Sequence, residues 1–241
     1  MGRVVVVFLG LMLSGVGLAR EITVAMAKNL PPFFMMPGSG IEYEIIKETF
    51  ASRGIRVVPR FVPFGRLPFM LKNKHTDAVA TINQGSGIQA RYSAPYVTYH
   101  NYAITLKSEG HQINKMGDLA RFKILAFQKA TDYLGKEYQQ AVGANPRYRE
   151  THNQRHQAID LYKKRIQVVV ADKTIFLYFR RVVGREDSID TSGELVFHQL
   201  FKPTHYSMGF HDQGLKFAFE QGMKEMKGKG RYRQIYDHYL N

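Results

Sequence analysis

Apolar runs of strand length alternate with helical stripes in this chain, and the alternation occurs twice. Ile22 to Ala27 predicts a buried strand; Ile41, Ile45, Ile46, Thr49 and Phe50 then recur on one helical face, and the pattern stops before Gly54, a residue suited to the left-handed position after a helix. Ile55 to Val62 predicts a second strand, Leu67 to Lys74 a short helix with Leu67, Met70 and Leu71 inward, and Asp77 to Ile82 a third strand. A strand, helix, strand order favours parallel pairing, because a parallel crossover needs a connection long enough to hold a helix.

The pattern resumes in the second half. Lys123 to Phe127 predicts a strand, Ala130 to Val142 and Gln154 to Arg165 helices, Ile166 to Ala171 a very apolar strand, and Lys173 to Val183 a helix with Asp172 as its cap. Leu195 to Phe201 and Ser207 to Phe210 read as returning strands, and Leu215 to Lys227 and Tyr232 to Leu240 as amphipathic helices. The fold class is therefore α/β, with two lobes whose sheets are mostly parallel and flanked by helices. No flexible linker separates them, so the expectation is a cleft between lobes joined by crossing strands, residues 20–104 with 202–241 forming one lobe and 105–201 the other.

Residues 1–19 read as an address. Arg3 precedes the apolar run Val4 to Leu13, and small residues end at Gly17-Leu18-Ala19, which fits an export signal cut after Ala19. An uncleaved anchor is the alternative, but Gly10, Ser14, Gly15 and Gly17 interrupt a run that falls short of about 20 strongly apolar residues. With no cysteine in the chain, disulfides, thiolate metal sites, cysteine nucleophiles and a lipid-modified cysteine anchor are all excluded. Export without such an anchor points to a periplasm.

The net charge of +14 allows anionic ligands or surfaces. The basic clusters Lys163-Lys164-Arg165, Arg180-Arg181 and Lys227 to Arg233 are spread over helix ends rather than gathered in one stripe, and together with export they argue against a nucleic-acid partner. His152 and His156 have zinc-ligand spacing but no glutamate between them, and read as solvated; no metal and no cofactor is expected. Neither Gly38-Ser39-Gly40 nor Gly228-Lys229-Gly230 has the spacing of a phosphate loop, and no G-x-S-x-G nucleophile turn occurs.

From Phe61 to Lys107 the motifs Pro63-Phe64-Gly65-Arg66, Leu71-Lys72-Asn73-Lys74, Thr76-Asp77-Ala78-Val79 and Arg91-Tyr92-Ser93-Ala94-Pro95-Tyr96 follow one another. Their order resembles bacterial extracellular solute-binding proteins of family 3, the two-lobed periplasmic receptors of polar amino acid importers, and within it a branch of short transporter substrate-binding domains. Leu30-Pro31-Pro32-Phe33, Gly40 through Ile45, Val169-Val170-Ala171-Asp172 and Gly230 through Leu240 extend the resemblance over nearly the whole chain after residue 19. It implies a type II periplasmic binding fold that closes by hinge motion over a small-molecule solute, a monomer served by an ABC permease or a membrane receptor, and no enzyme activity. Periplasmic cyclohexadienyl dehydratases share that architecture and stand as the enzymatic alternative; a sensory or accessory module that binds a partner protein is a third.

Seven residues are candidates for ligand contact. Phe33 and Phe64 lie near strand ends, where an aromatic face can cover a solute. Arg66, at the start of a short helix, has paired donors for an anionic or carbonyl group. Thr81 and Asn83 close the third strand, and Thr131 follows Gln128, Lys129 and Ala130 into a helix whose free N–H groups can hold a carboxylate or phosphate. Asp172 can receive an ammonium group or simply cap its helix. The arginine that holds the ligand's α-carboxylate in amino-acid-binding members is missing: Ser86 stands at that spacing, and Arg91 reads as a solvent-facing or bracing residue. An acidic residue usual near the end of strand one is also replaced by Met26, Ala27 and Lys28. The expected solute is small, polar or anionic.

Overall fold

A computed structural model describes residues 20–240. The proposed export segment, residues 1–19, lies outside the described residues. The first alternation gives β1 (Arg20–Ala27), α1 (Ile41–Ala51), β2 (Ile55–Val62), α2 (Leu67–Lys72) and β3 (Ala78–Ile82). Three further strands follow, β4 (Arg91–Tyr92), β5 (Val97–Tyr99) and β6 (Asn101–Leu106). The second alternation gives β7 (Ile124–Phe127), α3 (Ala130–Tyr133), α4 (Lys136–Gly143), β8 (Tyr148–Thr151), α5 (Arg155–Tyr162), β9 (Val168–Asp172), α6 (Lys173–Glu186) and β10 (Leu195–His198). The chain ends with β11 (Thr204–Phe210), α7 (Gln213–Gly228) and α8 (Arg231–Leu240).

Two sheets result. The first runs β2-β1-β3-β11-β4, with β5 also on β11; the second runs β10-β6-β9-β7-β8. Each has the expected parallel core, β2-β1-β3 in one and β8-β7-β9 in the other. Antiparallel strands are added at one side of each core by the segments that pass between sheets. Every residue of β3 and of β9 is buried, as befits strands covered on both faces.

The chain changes sheets twice, and the two places are neighbours. β5 pairs in the first sheet up to Tyr99 and β6 pairs in the second from Asn101, so the first crossing is a single residue, His100. The return lies between His198 and Thr204. Asn101 Nδ2 donates to Thr204 Oγ1 at 3.3 Å and ties the crossings together.

Three local readings differ from expectation. The helix expected over 130–142 is two pieces, because Gly135 takes φ 91° and breaks the ladder between α3 and α4. The strand expected over 195–201 stops at His198, where the chain turns towards the return crossing. The segments 91–106 and 148–151, which carry no clear alternation, form β4, β5, β6 and β8 by pairing with strands distant in sequence.

Helices α1 and α7 pack on the first sheet at close range. A Cβ placed on Gly222 would lie 2.4 Å from the Thr49 carbonyl oxygen, so the approach of the two backbones requires glycine. Gly222→Ala gains about 1 kcal/mol of helix propensity but overpacks this contact. The expected net loss is roughly 1–2 kcal/mol of unfolding free energy in urea melts with the urea dependence unchanged; a variant as stable as the wild type would mean the helices part at no cost.

Candidate ligand-binding cleft

A small cavity lies on the seam between the sheets. The first sheet and its loops contribute Leu30, Phe64, Tyr99 and Tyr206; the second sheet and its helices contribute Asn101, Phe127, Gln154, Asp172 and Ile175. It encloses about 10 Å³, the space of one water-sized group. Its walls are aromatic. Phe64 meets Phe127 edge-on at 6.3 Å between ring centroids and packs on Tyr133 at 5.3 Å and Tyr206 at 6.3 Å, and Tyr206 packs on Tyr99 at 5.1 Å. Beside this contact Gly65 N donates to Gln128 Oε1 at 3.0 Å, a direct hydrogen bond between lobes.

The polar groups of the cavity are few. Asp172 ends β9 and caps α6: Oδ1 accepts from Thr174 N at 2.8 Å and Ile175 N at 3.1 Å, while Oδ2 accepts from His100 N at 2.7 Å. Burial pushes its carboxyl up to about 6, against the lowering effect of these three N–H groups. Gln154 is buried, and its Oε1 has no hydrogen-bond partner among the described residues. No Lys or Arg among the described residues lines the cavity.

Directly behind Tyr99 sits a second buried carboxylate. Glu42, in the first turn of α1, accepts from Thr81 Oγ1 at 2.7 Å and from the hydroxyls of Tyr96 and Tyr99. Burial raises its carboxyl to about 7; the three hydroxyls pull it down, and the charge of Asp172 pushes it up again. Thr81, a β-branched residue at φ 51°, is held in this strained conformation by its own bond to Glu42 and by Thr81 N donating to Tyr96 Oη at 3.2 Å.

Of the seven residues expected to touch a ligand, Phe64 and Asp172 line the cavity together. Phe33 is buried one layer back, stacked on Tyr99 at 4.4 Å. Thr81 serves Glu42. Asn83 caps a 3-10 turn, Oδ1 accepting from Gly85 N at 2.9 Å, and its amide donates to the His205 carbonyl at 3.1 Å. Arg66 is exposed, its guanidinium 5.0 Å above the Phe69 ring, and does not reach the cavity. At the start of α3 the free N–H groups already have an anion. Glu150 accepts from Lys129 N at 2.7 Å and, through Oε1, from Thr131 N and Thr131 Oγ1 at 3.3 Å. Arg91 braces its lobe, reaching the His211 carbonyl and Gln213 Oε1, both at 3.3 Å. His152 and His156 are exposed, and no cluster of metal-ligating side chains occurs among the described residues.

Residues 22–241 match the family described as bacterial extracellular solute-binding proteins, family 3. The chain belongs to this family. The solved structures it resembles share the type II periplasmic binding fold at low identity. A histidine kinase sensor domain with similarity to periplasmic binding proteins superposes with a TM-score of 0.77 at 16% identity, covering 92% of this chain and 96% of its own. The arginine-, lysine-, histidine-binding protein ArtJ from Geobacillus stearothermophilus gives 0.74 at 16%, covering 92% and 95%. The ancestral amino acid-binding protein AncCDT-1, a precursor of cyclohexadienyl dehydratase, gives 0.69 at 18%, covering 92% and 96%. No curated protein matches the sequence significantly.

Several groups of this family 3 protein's cleft escaped the sequence. Tyr99 and Asn101 lie in the segment without clear alternation, and nothing local marks Phe127, Gln154 or Tyr206. Glu42 did leave a signal, since Glu42, Ile45, Ile46 and Thr49 share one face of α1 and all are buried. A carboxyl raised from 4.5 to about 7 by folding contributes stability that is complete below its unfolded value and is lost as pH rises through about 7. Asp172, raised from 3.8 to about 6, acts in the same sense over a lower window. Glu42→Gln removes the first contribution, so between pH about 4.5 and about 8 its stability relative to wild type should improve by roughly 3 kcal/mol. Parallel stability curves for the two proteins would show that Glu42 titrates alike in both states.

Proposed function

We propose that this protein is exported to the periplasm, by removal of residues 1–19, and there captures a small polar, amino-acid-like solute between its two lobes. The lobes would open and close about the paired crossings at His100 and residues 199–203. One observation carries this reading: Phe64 from the first lobe and Phe127, Gln154 and Asp172 from the second converge on a single cavity at the ends of parallel strands, the usual position for a ligand in open α/β sheets. Capture is noncovalent, Phe64 covering the solute and Asp172 and Gln154 accepting hydrogen bonds, with Phe33 supporting Tyr99. A closed monomer of this kind is the form that an ABC permease or a membrane receptor would read.

The enzymatic reading has its own support in Glu42, a carboxyl that burial brings near neutrality behind a cavity-lining tyrosine, where it can exchange a proton at physiological pH. Prephenate turnover that Glu42→Gln abolishes would establish it.

The binding reading is tested by calorimetry and small-angle scattering over a panel of amino acids, amines and organic acids. At least one solute should bind saturably and reduce the radius of gyration. Phe64→Ala should weaken that solute at least about tenfold, on the order of 1.4 kcal/mol, and Gln128→Ala should enlarge the solute-free molecule by removing the bond to Gly65 N. A panel without any saturable binder would sink the reading.

A further inference from the structure

We infer that the solute is a small primary amine, an alkylammonium without a carboxylate, whose charged head sits in the seam cavity against Asp172 and the Gln154 carbonyl oxygen. The inference deepens the proposed solute-binding function and rests on it. It follows from what the cavity offers and from what it lacks.

The cavity offers acceptors. Asp172 Oδ1 is filled by two backbone N–H groups, but Oδ2 takes only one, from His100, and retains a lone pair. No lysine or arginine among the described residues lines the site, so this carboxylate has no cationic partner there among them. An anion buried without one is costly, and a ligand cation relieves that cost. Gln154 supplies the second acceptor, a buried Oε1 with no partner among the described residues. Two acceptors call for a head that carries N–H groups, as a primary ammonium does and a quaternary one does not. The rings of Phe64, Tyr99, Phe127 and Tyr206 around them favour a cation over an anion, because an aromatic face is negative. About 10 Å³ is the space of a water molecule, which an ammonium head matches in size.

The cavity lacks a place for a carboxylate. Arg66 lies outside on Phe69, and Ser86 donates or accepts at Tyr92 Oη, 3.1 Å away. The N–H groups of Lys129 and Thr131, which a ligand carboxylate would need, are held by Glu150, and Tyr148 Oη adds a further bond to the same carboxylate at 2.8 Å. The protein's own side chain thus occupies the anion position. The Asn101 amide is turned to Thr204.

The test compares ethylammonium chloride, L-alanine and sodium propionate by titration calorimetry of the whole folded chain after residue 19. Ethylammonium should bind saturably, and the two carboxylates should give no heat beyond dilution. Gln154→Leu removes one acceptor without touching any hydrogen bond of the fold and should weaken ethylammonium at least fivefold. Asp172→Asn keeps the capping oxygen but loses the charge and the oxygen that accepts from His100 N; it should weaken ethylammonium at least tenfold, and circular dichroism on the same variant checks that the fold is retained. Binding of L-alanine as tight as that of ethylammonium overturns the inference while leaving the solute-binding reading in place. Equal ethylammonium affinity in wild type and Gln154→Leu overturns it too, because the amine then sits elsewhere. Silence from ethylammonium overturns it whatever else binds, and silence from every solute of the wider panel overturns the solute-binding reading with it.

Discussion

The two-lobed arrangement depends on how one carboxylate is used where the chain passes between sheets. Asp172 stands at the end of the most buried strand of the second sheet and accepts hydrogen bonds from the first turn of α6 and from the backbone of His100, the single residue between β5 and β6. It therefore fixes the crossing to the core of the second lobe and starts a helix at once. A side chain committed to three N–H groups has lost most of its freedom, which preorganises its remaining lone pair towards the cavity.

A second carboxylate reinforces the other side of the seam. Glu42 draws Thr81 from β3, Tyr96 from the segment before β5 and Tyr99 from β5 itself to the first turn of α1. Such a cluster is stable only while its hydrogen bonds are complete, because burial penalises the ionised form. The charge of Asp172 raises the proton affinity of Glu42, and both carboxylates raise that of the Tyr99 hydroxyl, so the core of the first lobe senses the ionisation of the carboxylate at the crossing. The aromatic chain from Phe33 through Tyr99 and Tyr206 to Phe64 and Phe127 runs alongside and gives the seam its apolar body.

Solved structures at 16–18% identity share the fold over more than nine-tenths of the chain, although they are a kinase sensor domain, an ancestral amino acid-binding protein and an arginine-, lysine-, histidine-binding protein. Ligand chemistry in such a fold resides in a handful of side chains at the cleft, and among the described residues the seam cavity is lined by aromatic and acceptor groups rather than cationic ones.

The residue pattern alone determined the parallel cores: β1, β2, β3, β7 and β9 are apolar runs at strand length, and α1, α6 and α7 carry stripes at helical spacing, because burial by a covering layer imposes a period that neighbouring residues must satisfy. It also marked Phe64 and Asp172, whose positions at strand ends follow from that same alternation. The antiparallel strands β4, β5 and β6 and the parallel edge strand β8 came only from the tertiary structure, since their partners lie far along the chain and pairing there compensates for weak local preference. So did the fate of every charged candidate. An arginine next to an aromatic residue and free N–H groups before a helix are each compatible with ligand or protein; only the folded molecule shows that Arg66 rests on Phe69 and that Glu150 has reached α3. The reason is geometric: sequence spacing fixes which face of its own element a side chain occupies, whereas its partners are chosen by elements that folding brings from elsewhere.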